Sequence, residues 1–147
     1  MSKNLKDIVI TTALRTPIGR YNGIFKDKHA HELGSIVIKE ILNKSNLKPN
    51  DIDEIIMGQV LTGLTGQNPA RQAAILANIP KEKTAYLINQ VCGSGLRAIV
   101  AGYQSVLLDD SDIIIAGGQE SMTKSTEKMI LKDGLIDAFN NYHMGIT

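Results

Sequence analysis

The sequence holds one cysteine, no tryptophan and only 4% aromatic residues. A single thiol closes no internal disulfide, and no spacing of Cys or His matches a zinc site, so a disulfide scaffold and a structural metal module both drop out. Excess charge of one sign is missing as well: 16 basic side chains face 15 acidic ones, for a net charge of +1. That balance leaves no electrostatic footprint for nucleic acid or for an anionic membrane. No apolar run approaches the roughly 18 residues that would span a bilayer, and "MSKNLKDIVI" enters a strand-like segment without the apolar core of a signal peptide. A cytoplasmic location is the expectation. Internal repeats and low-complexity segments are also absent.

What remains is the make-up of a folded domain, 147 residues of which 43% are hydrophobic and 21% charged. Short β-branched runs alternate with longer segments of helical period, which predicts an α/β fold with a mainly parallel sheet covered by helices. Four strands are expected. The first is "DIVITTAL", Asp7 to Leu14, apolar enough to be buried on both faces. The others are "EIIMGQV", "AYLIN" and "DIIIAGG". Three helices alternate with them. Ala30, Leu33, Val37 and Ile41 recur at three- and four-residue steps across His31 to Ser45, which Asn46 and Pro49 end. Asn68 and Pro69 supply a cap and a first-turn proline for "ARQAAILAN", stopped by Asn78 and Pro80. The third helix runs from Gly93 or Ser94 to Leu108, and the tail after Gly118 is less regular.

Plotted at 100° per residue, Ser94, Arg97, Gln104 and Ser105 crowd one arc of the third helix, leaving Leu96, Ala98, Ile99, Val100, Ala101, Val106 and Leu107 around the rest. Such a helix wants protein on nearly every side. A single sheet covers one face, so another body is expected against the other: a neighbouring helix, a second subunit or a further part of the fold.

The one thiol, Cys92, lies in "NQVCGSGLRA", where an apolar run gives way to glycines. At the first turn of a helix, unpaired N–H groups and the positive end of the macrodipole favour the nucleophilic, anionic form of sulfur. Gly93 and Gly95 would then clear the approach of a substrate, and the same N–H groups would stabilise an oxyanion. Against this stands the plain alternative that free cysteine is often a small buried hydrophobe. A third reading takes "GSGLRA" as a dinucleotide fingerprint. It fits poorly: the acid such sites want on the next strand is missing, because Asp112 opens that strand and Glu120 lies beyond it, and the turn follows the third expected strand rather than the first.

"NQVCGSGLRA" resembles the nucleophile segment of the thiolases, specifically those of the biosynthetic acetyl-CoA acetyltransferase type. "ALRTPIGRYNG", "LGSIVIKE", "EIIMGQVL", "GQNPARQAA", "IIIAGGQESM" and "LKDGLIDAFNNYHMGIT" resemble further thiolase segments in the same order. The resemblance covers almost the whole chain. It implies a thiolase-like layered fold of which this is the N-terminal half, with residues 1–119 as an incomplete α/β domain. It implies that Cys92 attacks an acyl-CoA thioester to form an S-acyl enzyme, its own N–H donating to the oxyanion, and that His143 and Met144 of "HMG" line the acyl-CoA pocket. Acetyl-CoA and acetoacetyl-CoA are then the substrates, with no separate cofactor, and the helix apolar all round corresponds to one that thiolases bury between their two halves. A C-terminal thiolase half or a second copy is the implied protein partner.

Two departures from the family stand out. Only "TKSTEKMI" separates "ESM" from "LKDG", where thiolases carry a longer loop, so residues 120–147 are expected to begin a shortened loop domain. The family's asparagine and histidine of the first oxyanion hole and its second cysteine have no counterpart in these 147 residues. Among the other polar residues, His29 and His31 are expected in solvent rather than on a metal, Arg71 and Arg97 on helix surfaces or beside nearby carboxylates, and Lys124, Lys128 and Lys132 along a wet helix edge rather than on a coenzyme A phosphate.

Overall fold

A parallel sheet whose strands alternate with helices organises the chain, in a computed structural model that describes residues 7–147. The order is α1 (Ala30–Ser45), β1 (Glu54–Gly58), α2 (Pro69–Leu76), β2 (Thr84–Ile88), α3 (Ser94–Leu107), β3 (Ile114–Gly118) and the short α4 (Glu127–Leu131). Strand β1 lies in the centre, with β2 and β3 parallel to it on either side, Gly58 facing Ile88 on one edge and Gly118 on the other. All three strands therefore point their carboxyl ends the same way.

The stops and starts follow from local chemistry. Asn46 ends α1 in the left-handed conformation, φ 59°, and Asn78 turns the chain after α2 in the same way, φ 63°. Asn68 caps α2 by accepting the Arg71 N–H at 2.9 Å, while its amide donates to Ala85 O at 2.9 Å. The Arg71 guanidinium lies across the following turn, donating to Lys83 O (2.5 Å) and Lys81 O (2.6 Å), rather than standing on the surface or facing a carboxylate.

Ile55 and Met57 face α1 and α2, where Ile38, Leu42, Ala70, Ala73, Ala74, Ala77 and Ile79 complete the buried core. The alanines of α2 let its backbone approach the sheet closely. On the opposite face Ile56 and Gly58 lie beneath α3. A side chain on Gly58 would run into the backbone of Ser94 and come within 2.5 Å of Gly95 N. Gly95 itself sits on Gly118, and Gly102 on Ala116 and Ile114.

Two further expectations change. Asp7–Leu14 forms no strand and has no ladder partner among the described residues; Val9 is 73% and Ile10 76% exposed. An apolar β-branched run favours extended backbone, but a strand buried on both faces also needs a paired edge and two covering layers. The third helix, read as apolar all round, turns out sided in an unexpected sense. Its small residues Ser94, Ala98 and Gly102 are buried against the sheet, while Leu96 (70%), Ile99 and Tyr103 face outward.

Asp53 ties the amino ends of the three strands. Its carboxylate accepts the Ile113 N–H (3.0 Å) and the Asp112 N–H (2.9 Å) ahead of β3, and meets Lys83 Nζ (3.4 Å) ahead of β2. Those two amides first, and then Lys83, hold its pKa below the usual carboxylate range against the opposing effect of burial. A carboxyl depressed in the fold stabilises it above the unfolded pKa of about 3.9, and that contribution disappears as pH falls through the folded value. Asp53→Ala is expected to cost about 1–2 kcal/mol at pH 7, discounted for the exposure of the pair, and progressively less toward pH 3, read from urea unfolding. Gly58→Ala is expected to lower stability by about 3 kcal/mol or more in the same assay, since backbone rather than a flexible side chain blocks the added carbon.

Candidate active site

Strand β2 ends at Ile88 and the chain reaches α3 through Asn89, Gln90, Val91, Cys92 and Gly93. Val91 carries φ 48°, in the left-handed region that a β-branched residue rarely enters. Several hydrogen bonds hold it there. Val91 N–H donates to Asn89 Oδ1 (2.9 Å), Gly93 N–H to Gln90 O (3.0 Å) and Ser94 N–H to Val91 O (3.1 Å). The buried Ser94 hydroxyl closes the turn from both sides, accepting Gln90 N–H (2.8 Å) and donating to Val91 O (2.6 Å).

This turn presents the Cys92 thiol to solvent. Of the readings open from sequence, the small buried hydrophobe is thereby set aside. Cys92 stands one residue ahead of the α3 cap, Gly93, rather than in the first helical turn. Gly95 faces Gly118 instead of clearing a path to the sulfur, so its missing side chain serves helix-to-sheet packing. The amides of Cys92, Gly95 and Leu96 have no acceptor among the described residues, as expected at a helix start. The strained Val91 and the Ser94 staple were not foreseen; a serine two residues beyond the cysteine was the only available signal.

His143 and Met144 lie in the tail, both exposed. His143 Nδ1 accepts the Gly145 N–H at 3.0 Å, and Met144 N–H donates to Leu135 O at 2.8 Å, which folds the segment back on itself. No hydrogen bond joins this segment to the cysteine turn among the described residues. At the carboxyl edge of the sheet Glu120 accepts Val60 N–H (2.9 Å) and Leu61 N–H (3.2 Å); the surrounding protein pushes its pKa up, against the pull of those amides.

A depression of about 460 Å³, lined in part by Glu54, Thr84, Tyr86, Gln104 and Ser111, sits at the opposite, amino edge of the sheet and does not include Cys92. His29 and His31 are half-buried and stacked, ring centroids 5.4 Å apart, instead of solvated. Burial chiefly, and the neighbouring His29 next, lower the His31 pKa, while Glu32 opposes them. Among the described residues no three His, Cys, Asp or Glu side chains cluster as a metal would require, and no helix is long and apolar enough to cross a membrane.

With this geometry the chain can be set beside known proteins. It is 48% identical over 155 residues to the acetyl-CoA acetyltransferase of Paracoccus denitrificans, matching 95% of this chain and 40% of that protein. It is 42% identical over 160 residues to a probable acetyl-CoA acetyltransferase of Escherichia coli, 97% of this chain and 41% of that one. The crystal structure of the Bacillus anthracis acetyl-CoA acetyltransferase superposes on it with a TM-score of 0.89 at 29% identity, covering 96% of this chain and 40% of the other. The chain thus spans about two-fifths of the length of these relatives. The family model for the thiolase N-terminal domain matches residues 8–129. On that match, and on the α/β sheet that carries it, the chain belongs to the thiolases and holds their N-terminal domain.

Proposed function

We propose that Cys92 is an acyl acceptor for coenzyme A thioesters and that this chain is the nucleophile-bearing part of a thiolase of the acetyl-CoA acetyltransferase type. The observation that carries this reading is the exposed thiol on a strained strand-to-helix turn, at the carboxyl edge of a parallel sheet, where open α/β folds bind ligands. The sulfur attacks the thioester carbonyl, the oxygen takes up the negative charge beside the Cys92 amide, and collapse expels coenzyme A thiolate to leave S-acetyl-Cys92. With acetoacetyl-CoA the attack falls on the ketone carbon. The carbon–carbon bond then breaks and the leaving carbanion takes a proton from water to become acetyl-CoA. His143 and Met144 line the acyl-CoA pocket in this reading, and residues 120–147 begin a shortened loop domain.

One sulfur cannot hold an acetyl group as a thioester and also abstract the proton from an incoming acetyl-CoA. These 147 residues contain no second cysteine for that task. Acylation without turnover is what these residues by themselves support, the acid and base having to come from outside them. The outward Leu96, Ile99 and Tyr103 of α3 favour a covering body, a C-terminal thiolase half or a second copy.

Incubated with acetyl-CoA and weighed, the chain is expected to gain one acetyl group, lost in Cys92→Ser, and to release no product steadily from acetoacetyl-CoA. Steady release would overturn the claim of no turnover; an unmodified Cys92 would overturn the acyl-acceptor reading. Ser94→Ala removes the staple that holds Val91 left-handed and is expected to slow acetylation about tenfold, followed by stopped-time mass measurement.

A further inference from the structure

Beyond the carboxyl ends of the strands the ladder continues for one more residue on each side of β1. Gln59 N–H donates to Ile88 O (3.1 Å) and Gln119 N–H to Gly58 O (2.9 Å). The two side chains then meet: Gln119 Nε2 donates to Gln59 Oε1 at 2.8 Å, and Gln59 Nε2 donates onward to Leu61 O at 2.9 Å. Both residues are buried, Gln59 at 1% and Gln119 at 6% exposure. Gln119 Oε1 has no donor among the described residues and presses on Gly34 of α1, where a side chain would collide with it. An unsatisfied buried oxygen costs stability, and two apolar side chains of the same shape would avoid that cost. Stability alone does not account for the pair.

Its neighbours show what it controls. Ile88, held by Gln59, is the residue from which the chain departs toward Cys92, four positions on. Gly58, next to Gln59, lies under the backbone of Ser94 and Gly95 where α3 begins, and Gly118, next to Gln119, lies under Gly95. The entry and the exit of the cysteine turn thus rest on the two strand ends that the amides join. A change in the spacing of those ends tilts the start of α3 and swings the sulfur.

We propose that the buried Gln59–Gln119 amide pair is a positioning device for Cys92, fixing the direction in which the sulfur meets an acyl-CoA carbonyl. The inference rests on reading Cys92 as the acyl acceptor. Both side chains are buried and act in this reading through the strand ends rather than on substrate.

The test uses the full 147-residue chain and two probes, acetyl-CoA and iodoacetamide, the second small enough to react with little demand on direction. Gln59→Leu combined with Gln119→Leu is expected to melt with the unaltered chain, to lose about tenfold in acetylation of Cys92, and to alkylate within about twofold of it. Gln59→Glu, which keeps an acceptor for Gln119 Nε2, is expected to recover most of the acetylation rate. Should the double variant unfold, Gln119→Met is read in the same way. Acetylation at the original rate in a folded variant lacking the amide overturns the inference alone, and so does a parallel loss of acetylation and alkylation. An unaltered chain that takes no acetyl group overturns the acyl-acceptor reading together with it.

Discussion

The first turn of α3 rests directly on the backbone of Gly58 at the end of β1, with no room between them for a side chain. Much of the candidate site follows from that contact. A helix pressed so near a sheet has room beneath it only for small residues, which is why Ser94, Ala98 and Gly102 turn inward. The short distance between β2 and the helix start then leaves the chain few residues in which to reverse. Val91 takes up the left-handed conformation this requires, and Cys92, next in line, is lifted clear of the sheet. A side chain at position 58 would loosen the turn before it touched the sulfur.

Strain of this kind persists only when its surroundings over-determine it. The Ser94 hydroxyl bonds to both sides of the turn, and the Asn89 side chain holds the Val91 amide. Beneath them the strand ends are braced by amide groups rather than by hydrocarbon. The candidate nucleophile therefore sits on rigid elements, as a group that must meet an electrophile from one direction should. The tail bearing His143 and Met144 is instead organised by its own local hydrogen bonds.

Wherever a short-range rule was sufficient, the sequence was legible. Asn68 with Pro69 marks the start of α2, Asn46 marks the end of α1, and the alternation of β-branched runs with helical periods yields the parallel sheet. The resemblance around Cys92 agrees with the family match over residues 8–129. What escaped depends on partners distant along the chain. The Gln59–Gln119 contact spans 60 residues and follows no periodicity. Arg71 looked like a surface charge or a carboxylate's partner because its acceptors are carbonyls, which no side-chain pattern reveals. For α3, the hydrophobic period showed that the helix wants cover all round but could not say which side meets the sheet. Asp7–Leu14 has the composition of a buried strand without the neighbours that would make it one.

The inside-out character of α3 reaches beyond the site. Leu96, Ile99 and Tyr103 remain wet in the folded chain and the helix's closest packing is made by groups with little surface, so unfolding this helix brings less additional hydrocarbon into contact with water than its composition suggests. Heat capacity and denaturant sensitivity both scale with newly exposed area. The contribution of α3 to both is therefore small, and a polypeptide that covers the helix raises it.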